Sequence, residues 1–321
     1  MITRSDITNT YRYIKDDIYK TPLVLSRKLS ELSGANVYLK MEQLQHSGSF
    51  KIRGVLSKFH TIKKADFNKP FVAASTGNHG AAFCHAADKL NVKGVLFLPE
   101  DTSPAKVQAL EGSDVEIIFH GANCMDAESK AGTYAKEVNG ILIHPYNDLE
   151  IIKGQGTIGL EIAEQLPEVN TILAPIGGGG LIGGIASYFK DLPDIDVVGC
   201  QPTNAAEMYH SIKAGHIVPP STLHTISDAT AGGIEEKSIT FDICNKLLDG
   251  IELIDEEDIK KALAFIVKYH QTLIEPACAM PVAALLNSKR YAGTNIVLVL
   301  TGKKVNITLL KEILNAYSDC Y

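Results

Sequence analysis

Lys51 stands in Ser47-Gly-Ser-Phe-Lys-Ile-Arg-Gly54, after the strand-like run Asn36-Val-Tyr-Leu-Lys40 and at the start of a stretch with helical period. A lysine at the positive end of a helix, with Arg53 as a close second cation, gives up its proton more readily, and a neutral amine is what Schiff-base chemistry requires. Taken alone, such a lysine is more often an ordinary surface residue. Ser75-Thr-Gly-Asn-His-Gly80 adds convergent N–H groups, two hydroxyls and an amide where a strand turns into a helix. That set suits a carboxylate, although the same residues also make a plain helix-capping turn. Gly177 to Gly180 separate the apolar run Thr171-Ile-Leu-Ala-Pro-Ile176 from the helix-like Leu181-Ile-Gly-Gly-Ile-Ala-Ser-Tyr-Phe189. Residues without Cβ let several N–H groups converge on one anion at a helix start. The loop has neither the Gly-Lys-Ser/Thr of a nucleotide P-loop nor the downstream acid of a dinucleotide fingerprint, so a single phosphate is the expected anion.

These residues must be positioned by repeated β-then-α units. Phe71–Ser75, Gly94–Leu98, Val115–Phe119, Thr171–Ile176, Asp196–Cys200 and Asn295–Thr301 are short β-branched or apolar runs, each followed by a helical stretch. The expectation is an α/β fold of parallel sheets flanked by helices, with ligands beyond the carboxyl ends of the strands. Asp255-Glu-Glu-Asp258 and the apolar stripe after it read as the solvated start of an amphipathic helix, and residues 219–233 read as a surface loop.

The chain has 321 residues, 45% hydrophobic and 21% charged, with a net charge of −6. That size predicts more than one lobe, and the acidic balance argues against a nucleic-acid partner. No signal-like N-terminus and no apolar run of about 18 residues is present, so a cytoplasmic protein without a membrane partner is expected. Six scattered cysteines form no Cys-x-x-Cys pair, and ten histidines form no zinc pattern. His144, before Pro145, reads as structural. No Gly-x-Ser-x-Gly elbow of a serine hydrolase occurs.

Five motifs in order resemble the pyridoxal-phosphate enzymes of fold type II, within them the serine/threonine dehydratases and serine racemases. They are Lys40 to Gly54, Ser75 to Gly80, Gly154-Gln-Gly-Thr-Ile-Gly-Leu-Glu161, the tetraglycine, and Glu275-Pro-Ala-Cys-Ala279. The resemblance implies a two-domain, tryptophan-synthase-beta-like fold, with residues 1–65 and 148–321 as a large cofactor-binding domain and 66–147 as a small mobile one. It implies pyridoxal 5'-phosphate as cofactor, Lys51 as its Schiff-base lysine, and Gly177, Gly178, Gly179 and Gly180 as the phosphate cradle. Asn78 would bond the ring hydroxyl, Phe50 would pack against the ring, and Ser75, Thr76, Gly77 and His79 would surround the substrate carboxylate. Thr301 would place a neutral hydroxyl at the pyridine nitrogen, which favours loss of a β-substituent over transamination. The implied reaction removes water and ammonia from L-threonine or L-serine, with Lys51 as general base.

Departures from the family pattern keep alternatives open. Thr76 stands where racemases carry an acid/base serine and many dehydratases an alanine, so serine racemisation remains chemically available through Thr76. Tyr146 stands where racemases tend to carry Asn and many dehydratases Phe, which tilts the reading towards elimination. Relatives close a divalent-cation loop with two carboxylates, whereas here Gln201 replaces the first and Glu207 the second, with the Ala205 carbonyl between them. Losing one charge weakens a Mg²⁺ site. Lys303 and Lys304 replace the usual residues after Thr301 and default to solvent. Ala231-Gly-Gly-Ile-Glu235 resembles dehydratases of hydroxyectoine breakdown, which points to another 3-hydroxy amino acid as an alternative substrate. A non-catalytic cofactor-binding protein is the remaining alternative, and a homodimer is expected from the family.

Overall fold

The computed structural model describes every residue except Met1, Ala109, Glu111, Gly112, Pro193, Thr222, Ser318 and Tyr321, with Ala105 described in its backbone only. The β-branched runs pair as strands β1 (Leu23–Leu25), β2 (Asn36–Lys40), β3 (Phe71–Ala74), β4 (Gly94–Leu98), β5 (Glu116–Phe119), β6 (Ile141–Leu142), β7 (Thr171–Pro175), β8 (Asp196–Pro202), β9 (Gly250–Ile254) and β10 (Asn295–Val299). They form a six-stranded sheet in the order β1-β2-β10-β7-β8-β9 and a four-stranded sheet in the order β5-β4-β3-β6. β3, β4 and β7 are buried along their whole length, as strands covered by helices on both faces must be.

One pairing departs from the parallel expectation. β1 runs antiparallel to β2, with Leu23 opposite Lys40. Residues 26–35 between them are fewer than the dozen or more that a parallel crossover takes. β6 has two residues, and β9 carries Glu252 in its middle, so neither shows a strong strand period.

Three helices set the site's floor: Lys51–Thr61, Leu149–Gln165 and Gly180–Phe189. They approach backbone to backbone, which explains the glycines of the Gly154-Gln-Gly-Thr motif. A Cβ on Gly154 would lie 2.5 Å from the Arg53 carbonyl oxygen, and one on Gly184 would lie 2.4 Å from that of Ile152. Two helix starts, at Lys51 and at Gly180, are thereby clamped to one central helix.

Below Lys51 lies a dry charged cluster. Arg53 donates through Nε to Glu42 at 2.7 Å and through Nη1 to Glu161 at 2.7 Å. Its remaining N–H groups reach Thr157, the Tyr19 carbonyl, and second oxygens of Glu42 and Glu161. Lys40 spends its three protons on Glu161 at 2.6 Å, the Thr21 carbonyl at 2.8 Å and Gln165 at 2.9 Å. Lys40, Glu42, Arg53 and Glu161 side chains are all fully buried. A buried charge set of this kind is tolerable only when each donor and acceptor is used.

Candidate active site

Two chain segments far apart in sequence are stitched together at the cleft. Ser49 and Gly302 form an isolated antiparallel bridge. The Phe50 N–H donates to the Thr301 carbonyl at 3.0 Å, and the Lys303 N–H donates to that of Gly48 at 3.1 Å. Gly48 takes φ +78°, in the left-handed region open to glycine, where a Cβ would also meet Lys303 Cε at 3.0 Å. This stitch sets Lys51, the first residue of its helix, beside Thr301.

The Lys51 amine donates to the Pro145 carbonyl at 2.8 Å and lies 5.3 Å from the Phe50 ring centroid. Desolvation holds its pKa down to about 8, while Glu128 and Glu275 pull the other way. Arg53, expected as the second cation that lowers it, instead points away into the charged cluster. The cause is burial, and the correction follows from Arg53 having two carboxylates of its own.

The tetraglycine ends β7 and opens the helix Gly180–Phe189, with Gly179 at φ +84° as its N-cap. The first N–H groups of a helix have no intrahelical partner and carry its positive end. Side chains close around this bend. A Cβ on Gly178 would sit 2.4 Å from the Tyr146 ring, and one on Gly177 would sit 3.1 Å from Thr230 Cα. Thr240 donates to the Gly178 carbonyl at 2.6 Å, which turns the peptide's other side inward.

Tyr146 is held by a latch that sequence reading did not find. The Glu235 N–H donates to the Tyr146 hydroxyl at 3.0 Å, and the Glu235 carboxylate receives Asn147 Nδ2 at 2.7 Å and pairs with His144 Nε2 at 2.9 Å. His144 Nδ1 accepts the N–H groups of Tyr146 and Asn147, so the ring organises the turn that presents the Pro145 carbonyl. The exposed carboxyl of Glu235 sits below its usual range because of His144 and Asn147.

The turn after β3 feeds the helix Asn78–Leu90. Ser75, Thr76 and Gly77 are half-buried along it, and Ser75 Oγ accepts the Gly77 N–H at 3.1 Å. Gly80 is required sterically, since a Cβ there would lie 2.3 Å from the Ser75 carbonyl oxygen. His79 differs from expectation in its side chain. The ring is buried and donates through Nε2 to the Ile143 carbonyl at 2.8 Å, and burial lowers its pKa to about 3. Its backbone N–H lies in the first turn of the helix, one of the groups without an intrahelical partner.

Asn78 points into the cleft. Its Nδ2 donates to Glu275 at 2.7 Å, while its buried Oδ1 has no protein partner. Glu275, just before the helix Pro276–Leu286, also receives Thr301 Oγ1 at 3.3 Å. Burial is the main cause that pushes Glu275 up to about 7. Glu275 was visible in the sequence as part of Glu-Pro-Ala-Cys-Ala, but no local signal showed that it would touch both Asn78 and Thr301.

Lys304 is not a free solvent lysine. Its amine reaches the Gly77 carbonyl at 3.5 Å, and with Lys303, His46, Cys84 and His85 it lines a side cavity of about 350 Å³. The expected cation loop fits a hard cation poorly. Gln201 Oε1 accepts the Tyr209 N–H at 2.9 Å, Glu207 accepts the Ser221 N–H at 2.9 Å, and among the described residues no cluster of three His, Cys, Asp or Glu is suited to a metal.

The cleft residues do fit pyridoxal phosphate. A poised, part-buried amine, a glycine cradle that a Cβ would fill, an unpaired amide oxygen and a neutral hydroxyl converge on one place. Comparison with known proteins agrees. The pattern of the family described as pyridoxal-phosphate dependent enzyme matches residues 14–302. An L-threonine ammonia-lyase of Thermotoga maritima is 34% identical over 98% of this chain and 79% of its own length. A catabolic L-threonine dehydratase of Staphylococcus aureus is 33% identical over 98% of this chain and 92% of its own. The crystal structure of serine racemase from Dictyostelium discoideum superposes with a TM-score of 0.87 at 31% identity, over 95% of this chain and 99% of that one.

Proposed function

The chain belongs to the pyridoxal-phosphate-dependent enzymes, and from that premise we propose that it is a threonine/serine ammonia-lyase, converting L-threonine to 2-oxobutyrate or L-serine to pyruvate, with ammonia released. The observation that carries this reading is the part-buried Lys51 amine, whose pKa desolvation lowers to about 8, in a cleft that also holds the buried, neutral Thr301 hydroxyl. The similarity to threonine ammonia-lyases over nearly the whole chain supports the substrate class.

The cofactor, when bound, supplies an electron sink for charge at the substrate α-carbon. Lys51 is the residue that would hold the cofactor covalently through Nζ, and its neutral amine would take the substrate α-proton as general base. The Pro145 carbonyl, fixed by His144 and Glu235, orients that amine. The N–H groups of Gly177 to Gly180 would hold the phosphate, Phe50 would pack beside the ring, and Asn78 and Thr301 would meet its oxygen and nitrogen. Ser75, Thr76 and Gly77, with the backbone N–H of His79, receive the substrate carboxylate at the positive end of their helix. Loss of hydroxide from Cβ with a proton, followed by addition of water and release of ammonia, balances the overall conversion.

Residues 66–147 form the small mobile domain in this reading, residues 1–65 and 148–321 the large one, and the assembly is a cytoplasmic homodimer. Among the described residues no helix is long and apolar enough to cross a membrane. In the loop of Gln201, Ala205 and Glu207, the Gln201 and Glu207 side-chain oxygens accept the backbone N–H groups of Tyr209 and Ser221 and take no part in the reaction. The Thr76 hydroxyl, together with the serine racemase likeness, keeps racemisation as a second reading.

The test is a coupled assay of 2-oxo acid formed from a panel of 3-hydroxy amino acids, beside a chiral assay of recovered substrate. Oxo acid from threonine or serine faster than inversion is expected. Inversion alone, or turnover only of other 3-hydroxy amino acids, would overturn the proposal.

A further inference from the structure

Glu275 has no place in the steps above, yet it is the only described carboxyl bonded to two of the proposed cofactor contacts. It is 3% exposed, and Gly302 packs so closely that a Cβ there would lie 2.6 Å from Glu275 Oε1. Its hydrogen bonds come from Asn78 Nδ2 at 2.7 Å and Thr301 Oγ1 at 3.3 Å, both neutral groups. No lysine or arginine among the described residues pairs with it. Lys51 is turned to the Pro145 carbonyl and Lys304 to that of Gly77. Of the charges that act through space, Asp228 opposes ionisation, Lys304 and the Lys51 amine favour it, and the adjacent Cys278 thiol, itself pushed up to about 12, is neutral.

The Asn78 amide then poses a choice. With Nδ2 towards Glu275, the buried Oδ1 is the atom left for the cofactor ring. An acceptor there opposes a negative ring oxygen. After a half-turn of the amide, Nδ2–H faces the ring oxygen and can stabilise it as an anion, but Oδ1 then faces Glu275 at the same short distance. Two acceptors 2.7 Å apart require a proton between them.

We propose that Glu275 is a neutral carboxylic acid in the cofactor-loaded protein, and that its proton, donated to Asn78 Oδ1, turns the amide so that Nδ2–H faces the ring oxygen of the cofactor. Glu275 is thus a positioning residue that acts through Asn78 and selects the charged form of that oxygen. The direction of its titration, raised by burial, supports this state. The inference rests on the cleft being a pyridoxal-phosphate site with Lys51 as Schiff-base residue, and not on which amino acid is turned over.

The test uses the cofactor-loaded full-length protein and compares Glu275→Gln, which keeps a neutral donor, with Glu275→Met, which has none. The visible band reports the anionic ring oxygen, and the near-ultraviolet band reports the protonated one. The Gln variant is expected to keep the wild-type band ratio, while the Met variant moves mainly to the near-ultraviolet band and binds cofactor about tenfold more weakly. Loss of the visible band in the Gln variant would show that a carboxylate is needed, and retention in the Met variant would show that Glu275 does not act on the ring. Either result overturns the proposal. A second measurement, infrared difference spectra of wild type against the Gln variant, must show a protonated carboxyl stretch in the wild type, and its absence also overturns it. Borohydride reduction and peptide mass analysis of the wild type separate the two levels. Reduced cofactor on Lys51 with contrary spectra sinks the Glu275 role alone, whereas no modified Lys51 sinks the reading of the cleft as well.

Discussion

The charged cluster around Arg53 and the cleft above it are both dry, and both contain carboxylates, lysines and amides, yet they are finished differently. In the cluster, Arg53 and Lys40 spend all their protons on protein acceptors. In the cleft, Lys51 has one carbonyl, Asn78 keeps a buried oxygen without partner, and Glu275 has no cationic partner. Complete pairing builds a rigid base, and incomplete pairing leaves groups whose proton affinities are displaced and whose valences await a ligand. The two regions share the helix Lys51–Thr61, so the rigid one aims the reactive one.

The sharpest break of this contrast is Lys51→Ala. Turnover should fall by roughly 10⁴-fold, the upper range for loss of a general base, with the visible cofactor band gone and the melting temperature of the apoprotein nearly unchanged. Arg53→Met should do the reverse. It strands Glu42 as a buried charge without an ion-pair partner and leaves Glu161 to Lys40 alone, so urea unfolding should show a loss of about 3–5 kcal/mol, and activity per folded molecule should fall only as far as Lys51 is displaced.

Gly178→Ala probes the cradle, since its methyl would meet the Tyr146 ring at 2.4 Å. Cofactor affinity should weaken by about 1–3 kcal/mol, the usual cost of overpacking, measured by equilibrium titration, while Gly132→Ala, with open space at its Cβ, should leave it unchanged. A smaller, pH-dependent difference separates the acids. Glu275 holds its proton more tightly folded, to about pH 7, than a free carboxyl does. Its stabilising contribution to the apoprotein is therefore complete below the unfolded pKa of about 4.5 and disappears as pH rises through about 7. Unfolding curves of wild type and Glu275→Gln should diverge over that interval, and parallel curves would contradict it.

Much of the architecture was legible along the chain. The runs at 71–75, 94–98, 171–176 and 196–200 became parallel strands because both faces of each are buried. β1 was missed, being three residues long and half exposed on an edge, and so was the antiparallel pairing it makes. Lys51, Asn78, the tetraglycine and Thr301 were legible as candidates because each lies in a recognisable local pattern. Arg53 was misassigned because its type and spacing show a cation near Lys51 but not the two carboxylates that draw it away. The His79 ring turns instead to the Ile143 carbonyl, a contact 64 residues away along the chain.

What the amino-acid order determined by itself is local: β-branched runs and helical periods specify the elements, and glycines specify the bends where backbone must come close. What only the tertiary structure decided is which distant groups share one dry space. Glu275 meets Asn78 across 197 residues of chain, and Pro145 meets Lys51 across 94. Spacing in sequence carries no such information, because these contacts follow from sheet order and helix packing. The shifts of Lys51 and Glu275 arise from that same burial, which removes water from groups whose partners are not yet complete.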